Sequence, residues 1–195
     1  MNRLRATAIA TALSGAVLLA KGLWIPAKAE LAYGLMDRAL DQVGSSQSPS
    51  KPWSWADFKV VGKLQLLGED VHVLDRATNQ AMAFGAGLHE EYGEDGPVVF
   101  SGHRDTHFSM LARTKLGDVI TYQNLGTENS YEVTDTRIFD IREGVLQPPS
   151  PGQIMLITCW PFDGIDPNTT KRYLVLAEQN TAESPIRQRP TQREL

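Results

Sequence analysis

The 195-residue chain holds a single cysteine, Cys159. It closes the apolar, β-branched run Ile154-Met-Leu-Ile-Thr-Cys159, which stops before Pro161. Such a run reads as a strand, and a thiol at its C-terminal end, just before a proline-marked turn, stands at a rim. Two uses compete for it. A free cysteine is most often a small buried hydrophobe. As a nucleophile it must be a thiolate, which requires a basic or cationic neighbour. His103, in Ser101-Gly-His-Arg-Asp105, lies at the end of another apolar run, Val98–Ser101, where Gly102 permits a tight turn. Arg172 opens the run Arg172–Ala177. If that run pairs antiparallel with the cysteine strand through the loop 160–171, Arg172 falls beside Cys159. A guanidinium is permanently charged and offers fixed donors, which suits an oxyanion forming on a carbonyl under attack. A surface ion pair is the competing use of the arginine. Lys171 would point to the opposite face of the strand.

The remaining titratable residues carry less. His72 reads as a strand residue, His89 as a solvated or hydrogen-bonded loop residue, and His107 as either facing away or packing locally. Asp105 is placed to orient His103 or Arg104, although a loop aspartate also caps turns. Glu90, Glu91, Glu94 and Asp95 form an acidic loop without the defined spacing of calcium ligands, and a solvated loop is the better reading. One cysteine excludes a disulfide framework and a Cys-rich zinc site. A net charge of −4 provides no basic field for phosphate backbones, so nucleic acid is not an expected partner.

The elements that must position these residues begin at Trp53. From there short apolar runs alternate with Gly, Pro, Asn and Asp in the rhythm of an all-β protein. The expected strands are Lys59–Leu66, Val71–Asp75, Ala81–Phe84, Val98–Ser101, Val119–Asn124, Ser130–Ile138, Ile154–Thr158 and Arg172–Ala177. This set suggests a closed eight-stranded barrel with short helices, one of them over Thr106–Arg113. Trp53 and Trp55 are expected to pin the N-terminal edge of the domain.

Upstream, Arg3 and Arg5 precede an uncharged run from Ala6 to Ala20, and after Lys21 the apolar character continues to Ile25. This is long enough to cross a bilayer with Lys21 snorkelling, and the positive-inside rule leaves the N-terminus in the cytoplasm. Ala27-Lys-Ala29 also fits a signal-peptide cleavage site, so the segment is an anchor or a leader; either exports the rest. Lys28–Val43 has Leu31, Leu35, Ala39, Leu40 and Val43 near helical spacing, an amphipathic helix that lies at the membrane face or packs on the domain. Gly44–Pro52 is a polar, proline-containing linker. The expected organisation is a cytoplasmic stub and signal-anchor over 1–25, helix and linker over 26–52, a β-barrel over 53–180, and a disordered tail over 181–195.

Taken together the motifs resemble the sortases, cysteine transpeptidases of bacterial surfaces. Leu156-Ile-Thr-Cys159 is similar to their Thr-Leu-x-Thr-Cys signature, with Met155 and Ile157 as variants. Ser101-Gly-His103 resembles the histidine motif, and Arg172 the arginine. Gly102-His-Arg-Asp-Thr-His-Phe108, Thr158-Cys-Trp-Pro-Phe-Asp163, Trp24-Ile-Pro-Ala-Lys-Ala29 and Lys51-Pro-Trp-Ser-Trp-Ala-Asp57 look like the class D and Gram-negative proteobacterial group. The resemblance spans roughly residues 22–178. It implies a barrel behind an uncleaved membrane anchor. Cys159 becomes the nucleophile, His103 the general acid and base, and Arg172 the oxyanion stabiliser, with Asp105 and Thr158 as supporting residues. The substrate implied is an exported protein with a C-terminal Leu-Pro-x-Thr-Gly-like signal, cleaved between Thr and Gly and passed to an amine acceptor. The chemistry requires no metal and no cofactor. The catalytic domain would stand on the periplasmic side of a bacterial inner membrane, with Trp160-Pro-Phe162 as the first wall of a groove. The competing class is an exported β-barrel binding domain with a structural or mixed-disulfide cysteine.

Overall fold

The computed structural model describes residues 3–89, 97–124, 126–166 and 168–180. A long helix α1 (Arg3–Ser46) precedes strands β1 (Val60–Leu66) and β2 (Glu69–Leu74). A short helix α2 (Asn79–Met82) then leads into β3 (Ala86–Leu88) and β4 (Val98–Ser101). After a 3-10 turn at Ser109–Arg113 come β5 (Val119–Asn124), β6 (Thr127–Asp140), β7 (Gln153–Cys159) and β8 (Lys171–Gln179). The strands close in the order β1-β2-β3-β4-β7-β8-β6-β5, and β5 pairs back onto β1. Closure removes the free edges that an open sheet would expose. Neighbours run antiparallel except β2 with β3 and β4 with β7. The barrel with a long apolar helix before it is the architecture expected from the sequence.

Alternation along the strands assigns two faces. Ile154 and Leu156 of β7 pack inward with Phe100, Val175 and Ala177. Met155, on the opposite face of the same strand, joins Val99 and Leu174 in an outer cluster covered by Phe139 and Leu146. Continuing the alternation sends Thr158 inward and Cys159 outward.

One strand differs from expectation. Ala81–Phe84 is not a strand: the Thr78 hydroxyl caps the Ala81 amide and starts the turn of α2, and the buried Ala81 supplies an apolar residue that mimics strand patterning. The third strand lies just after it, at Ala86–Leu88, where glycine and brevity hide it. The helix expected over Thr106–Arg113 is confined to its second half.

The apolar and amphipathic segments form one helix with Pro26 inside it. The apolar part is exposed, with a mean hydropathy of 1.7 in its most apolar window, and by length and composition it qualifies to cross a membrane. Further along, Met36 and Ala39 are buried against Phe58, Val60, Leu74 and Ala81, and Asp37 accepts from His72 at 2.9 Å. The second half of α1 therefore packs on the barrel. Its buried stripe runs through Met36, Ala39 and Val43, while Leu31 stays exposed. The polar stretch that follows is partly ordered, since Ser50 bridges Val60. Trp53 meets Phe58 and Phe84 edge-on at 5.6 and 5.5 Å, whereas Trp55 is 83 % exposed and pins nothing. The acidic loop Glu90–Asp95 and the tail from residue 181 lie outside the described residues.

Candidate active site

The site grows out of the ends of three adjacent strands. In the antiparallel register of β7 and β8, Cys159 lies opposite Arg172 and Thr158 opposite Tyr173, and the Trp160 amide donates to the Lys171 carbonyl at 3.0 Å. On the other side β4 runs parallel to β7 with Ser101 opposite Ile157. The Gly102 amide then donates to the Ile157 carbonyl at 3.1 Å, which carries the chain toward His103 beside the end of β7. Gly102 is required there, because a Cβ would stand 2.8 Å from the buried Phe108 ring. The Phe108 amide donates to the His103 carbonyl at 3.0 Å and closes the histidine loop on itself.

Thr158 joins the two chain segments. It is 2 % exposed, and its hydroxyl donates to the Gly102 carbonyl at 2.7 Å. A buried hydrogen bond of this kind fixes the relative positions of the backbones it links.

Cys159, His103 and Arg172 line one cleft of about 830 Å³ together with Thr158, Asp105, Arg104, Ser101 and Ile157. Three of these residues come from strand ends distant in sequence, and the fold collects them. Cys159 is half-buried and unpaired, neither hidden in the core nor fully open. The Arg172 Nη1 donates to the carbonyls of Thr169 and Lys171 at 2.7 and 3.0 Å. No ion pair among the described residues involves Arg172. Its guanidinium is held by backbone and keeps its full charge at the cleft.

Asp105 lines the same cleft, but among the described residues no hydrogen bond joins it to His103 or Arg104. Arg104 reaches across instead to the carbonyls of Gly164 and Asp166 in the loop between β7 and β8. The cleft wall on that side is Gly164, Ile165 and Asp166, not Trp160 and Phe162. Those aromatic residues cluster with Tyr173, Trp160 stacking on it at 5.6 Å and Phe162 meeting it edge-on at 5.2 Å.

The other histidines have structural partners. His72 pairs with Asp37 and stacks on Tyr33, and His89 meets the Ser101 hydroxyl at 2.8 Å. His107 approaches the Ala83 carbonyl at 3.3 Å and the Tyr33 ring edge-on. Burial pushes the His107 pKa down, with smaller opposing help from that carbonyl and further lowering from His103 and His72. Among the described residues no cluster of His, Cys, Asp and Glu could hold a metal ion. Asn79, Met82 and Ile165 complete the cleft without having been singled out by their sequence context, and Arg104 had been named only as a neighbour of Asp105.

A closed barrel with a thiol, a histidine and an arginine on one outer cleft defines a cysteine-site β-barrel protein. The chain belongs to the sortase family: the Sortase domain profile matches residues 63–180. Sortase D of Bacillus subtilis (strain 168) is 31 % identical over 90 residues, 45 % of this chain and 45 % of that protein. The match thus spans less than half the length of this curated relative. Among solved structures, sortase A of Listeria monocytogenes superposes with a TM-score of 0.54 at 25 % identity over 62 % of this chain and 87 % of that one. The lid mutant of sortase A from Corynebacterium diphtheriae gives 0.56 at 20 % identity over 79 % and 96 %. Sortase C of Clostridium perfringens, solved with the C-terminal cell wall sorting motif, gives 0.53 at 19 % identity over 78 % and 89 %. The last two likenesses are ones of fold.

Proposed function

We propose that the protein is a membrane-anchored cysteine transpeptidase of the class D-like, Gram-negative type, cleaving a Leu-Pro-x-Thr-Gly-like signal of an exported protein between Thr and Gly. The observation that carries this reading is the register of β7 and β8, which sets Cys159 opposite Arg172 in a cleft shared with His103. The Cys159 thiolate adds to the threonine carbonyl carbon, and Arg172 stabilises the oxyanion. The carbon–nitrogen bond breaks as His103 protonates the leaving amine, leaving a thioacyl enzyme. An acceptor amine then adds to the thioester, His103 takes its proton, and the thiolate departs; water in place of the amine gives hydrolysis. Thr158 keeps the histidine loop against the nucleophile strand. The anchor is residues 1–25, with the domain over 53–180 on the periplasmic side of the inner membrane.

The test is incubation of the full chain in detergent with a library of Leu-Pro-x-Thr-Gly-type peptides and an amine acceptor, followed by mass spectrometry. The expected result is a Cys159-linked acyl adduct and a transpeptidated product, both absent in Cys159→Ala. A wild type that cleaves no member of the library sinks the reading.

A further inference from the structure

The loop between β7 and β8 forms a wall of the cleft through Gly164, Ile165 and Asp166. Ile165 is 98 % exposed and has no packing of its own to hold it. The loop has bonds of its own, from the Gly164 amide to the Pro161 carbonyl and from the Thr169 hydroxyl to the Trp160 carbonyl, and it is also fastened from outside. The Arg104 Nη2 donates to the Gly164 carbonyl and, at 3.0 Å, to the Asp166 carbonyl. These bonds cross from the histidine loop to the far side of the cysteine. A charged donor on a carbonyl makes a stronger bond than a neutral pair, and Arg104 makes two from one nitrogen.

Two further observations mark this as a built contact. Gly164 lets the guanidinium approach: a Cβ there would stand 3.1 Å from the Arg104 Nη1 and 3.1 Å from the Pro161 carbonyl oxygen. The Nη1 itself is buried without a hydrogen-bond partner. Burying part of a guanidinium without partners costs free energy, and a surface arginine with no structural task would turn out to water.

We propose that Arg104 is a positioning residue that latches the β7–β8 loop to the histidine loop and so sets the fit of the cleft around the sorting-signal peptide. The latch contributes no group to the reacting atoms. It fixes the wall facing Cys159, so its loss raises KM more than it lowers kcat. Lysine supplies a charge but only a point donor on a flexible stem, so Arg104→Lys restores part of the effect. The functional half rests on the transpeptidase reading, whereas the latch itself does not.

The experiment compares wild type, Arg104→Ala, Arg104→Lys and Gly164→Ala, all as full chains in detergent. Amide hydrogen exchange is followed by mass spectrometry, and cleavage is followed with a fluorogenic peptide containing Leu-Pro-Glu-Thr-Gly. Arg104→Ala is expected to speed exchange in peptides covering 160–170 while leaving those from β1 and β5 unchanged. Its KM should rise roughly tenfold with kcat within about threefold, the size that loss of a charge-assisted bond implies. Arg104→Lys should fall between, and Gly164→Ala should move exchange and KM in the same direction as Arg104→Ala. Unchanged exchange over 160–170 overturns the latch. Faster exchange with an unchanged KM, or a fall in kcat alone, overturns its role in substrate fit. A wild type inactive on every member of the Leu-Pro-x-Thr-Gly-type library, whose loop still responds to Arg104→Ala, upholds the latch and counts against the transpeptidase reading.

Discussion

At the scale of single residues the site depends on a few bonds between backbones that would otherwise be independent. Thr158→Val keeps the shape and the inward orientation but leaves the buried Gly102 carbonyl without its donor. The expected cost is about 1–3 kcal/mol. Calorimetry should show a lower Tm, and the activity loss should exceed that of a surface control, because the histidine loop is then tied to the end of β7 only through the Gly102 amide. Arg172→Lys tests the oxyanion assignment. A point charge on a flexible stem does not reproduce the fixed guanidinium donors, and kcat should fall by roughly 10²-fold or more with the fold intact by circular dichroism. Recovery of full activity in Arg172→Lys would mean that only charge matters there. That Cys159, His103, Arg172 and Thr158 would share one cleft was legible in the sequence, because each sits at or beside the end of a strand whose apolar pattern can be read; their roles belong to the proposal. The place of Arg104 was not legible, because its partners are loop carbonyls, and a carbonyl carries no residue signature.

At the scale of elements, α1 meets the barrel through Tyr33 and Asp37 on one side and His72 and His107 on the other. The pH dependence of this contact follows from His107. Its pKa is lowered in the fold, chiefly by burial, so below about pH 6.5 the unfolded chain binds a proton that the folded chain resists. Stability therefore falls as pH drops through that value, and the loss levels off only below the folded pKa. The Tm of the wild type should decline from pH 7.5 to pH 5.5, and His107→Gln should decline less. An identical slope in the variant would remove His107 from the account. In more acidic solution Asp140 takes over: the Arg142 guanidinium beside it holds its carboxyl well below the usual carboxylate range. That contribution is fully present above the ordinary carboxylate pKa and is lost progressively as pH falls from there through the lowered folded value. Strand patterning located seven of the eight strands closely, since each is a short apolar or alternating run bounded by turn residues. It misplaced β3 because Thr78 starts a helical turn in an apolar stretch, and the real strand, Ala86–Leu88, is too short and glycine-rich to show a period.

At the scale of the whole molecule, the continuity of α1 was the part least legible. A proline at position 26 and a change from apolar to amphipathic composition suggest two segments, yet the helix runs through both. Its second half belongs to the folded domain, because Met36 and Ala39 complete a buried cluster with Phe58, Val60, Leu74 and Ala81. Deleting residues 1–24 should leave a stable barrel in aqueous buffer. Deleting residues 1–47 exposes that cluster and should lower the Tm by roughly 10 °C, at about 2–4 °C per kcal/mol for a chain of this size. Equal Tm values for the two truncations would show that the docked half contributes nothing. If the apolar half of α1 is the proposed anchor, an unbroken helix also makes it a ruler. With residues 7–25 in the bilayer, the first docked side chain, Tyr33, follows about 12 Å further along the axis at 1.5 Å per residue. The thiol is then held at one height above the lipid. On the proposed transpeptidase reading, a signal tethered to the same membrane meets it only if the spacer between its cleavage point and its own anchor matches that height, while a free peptide in solution is indifferent to it.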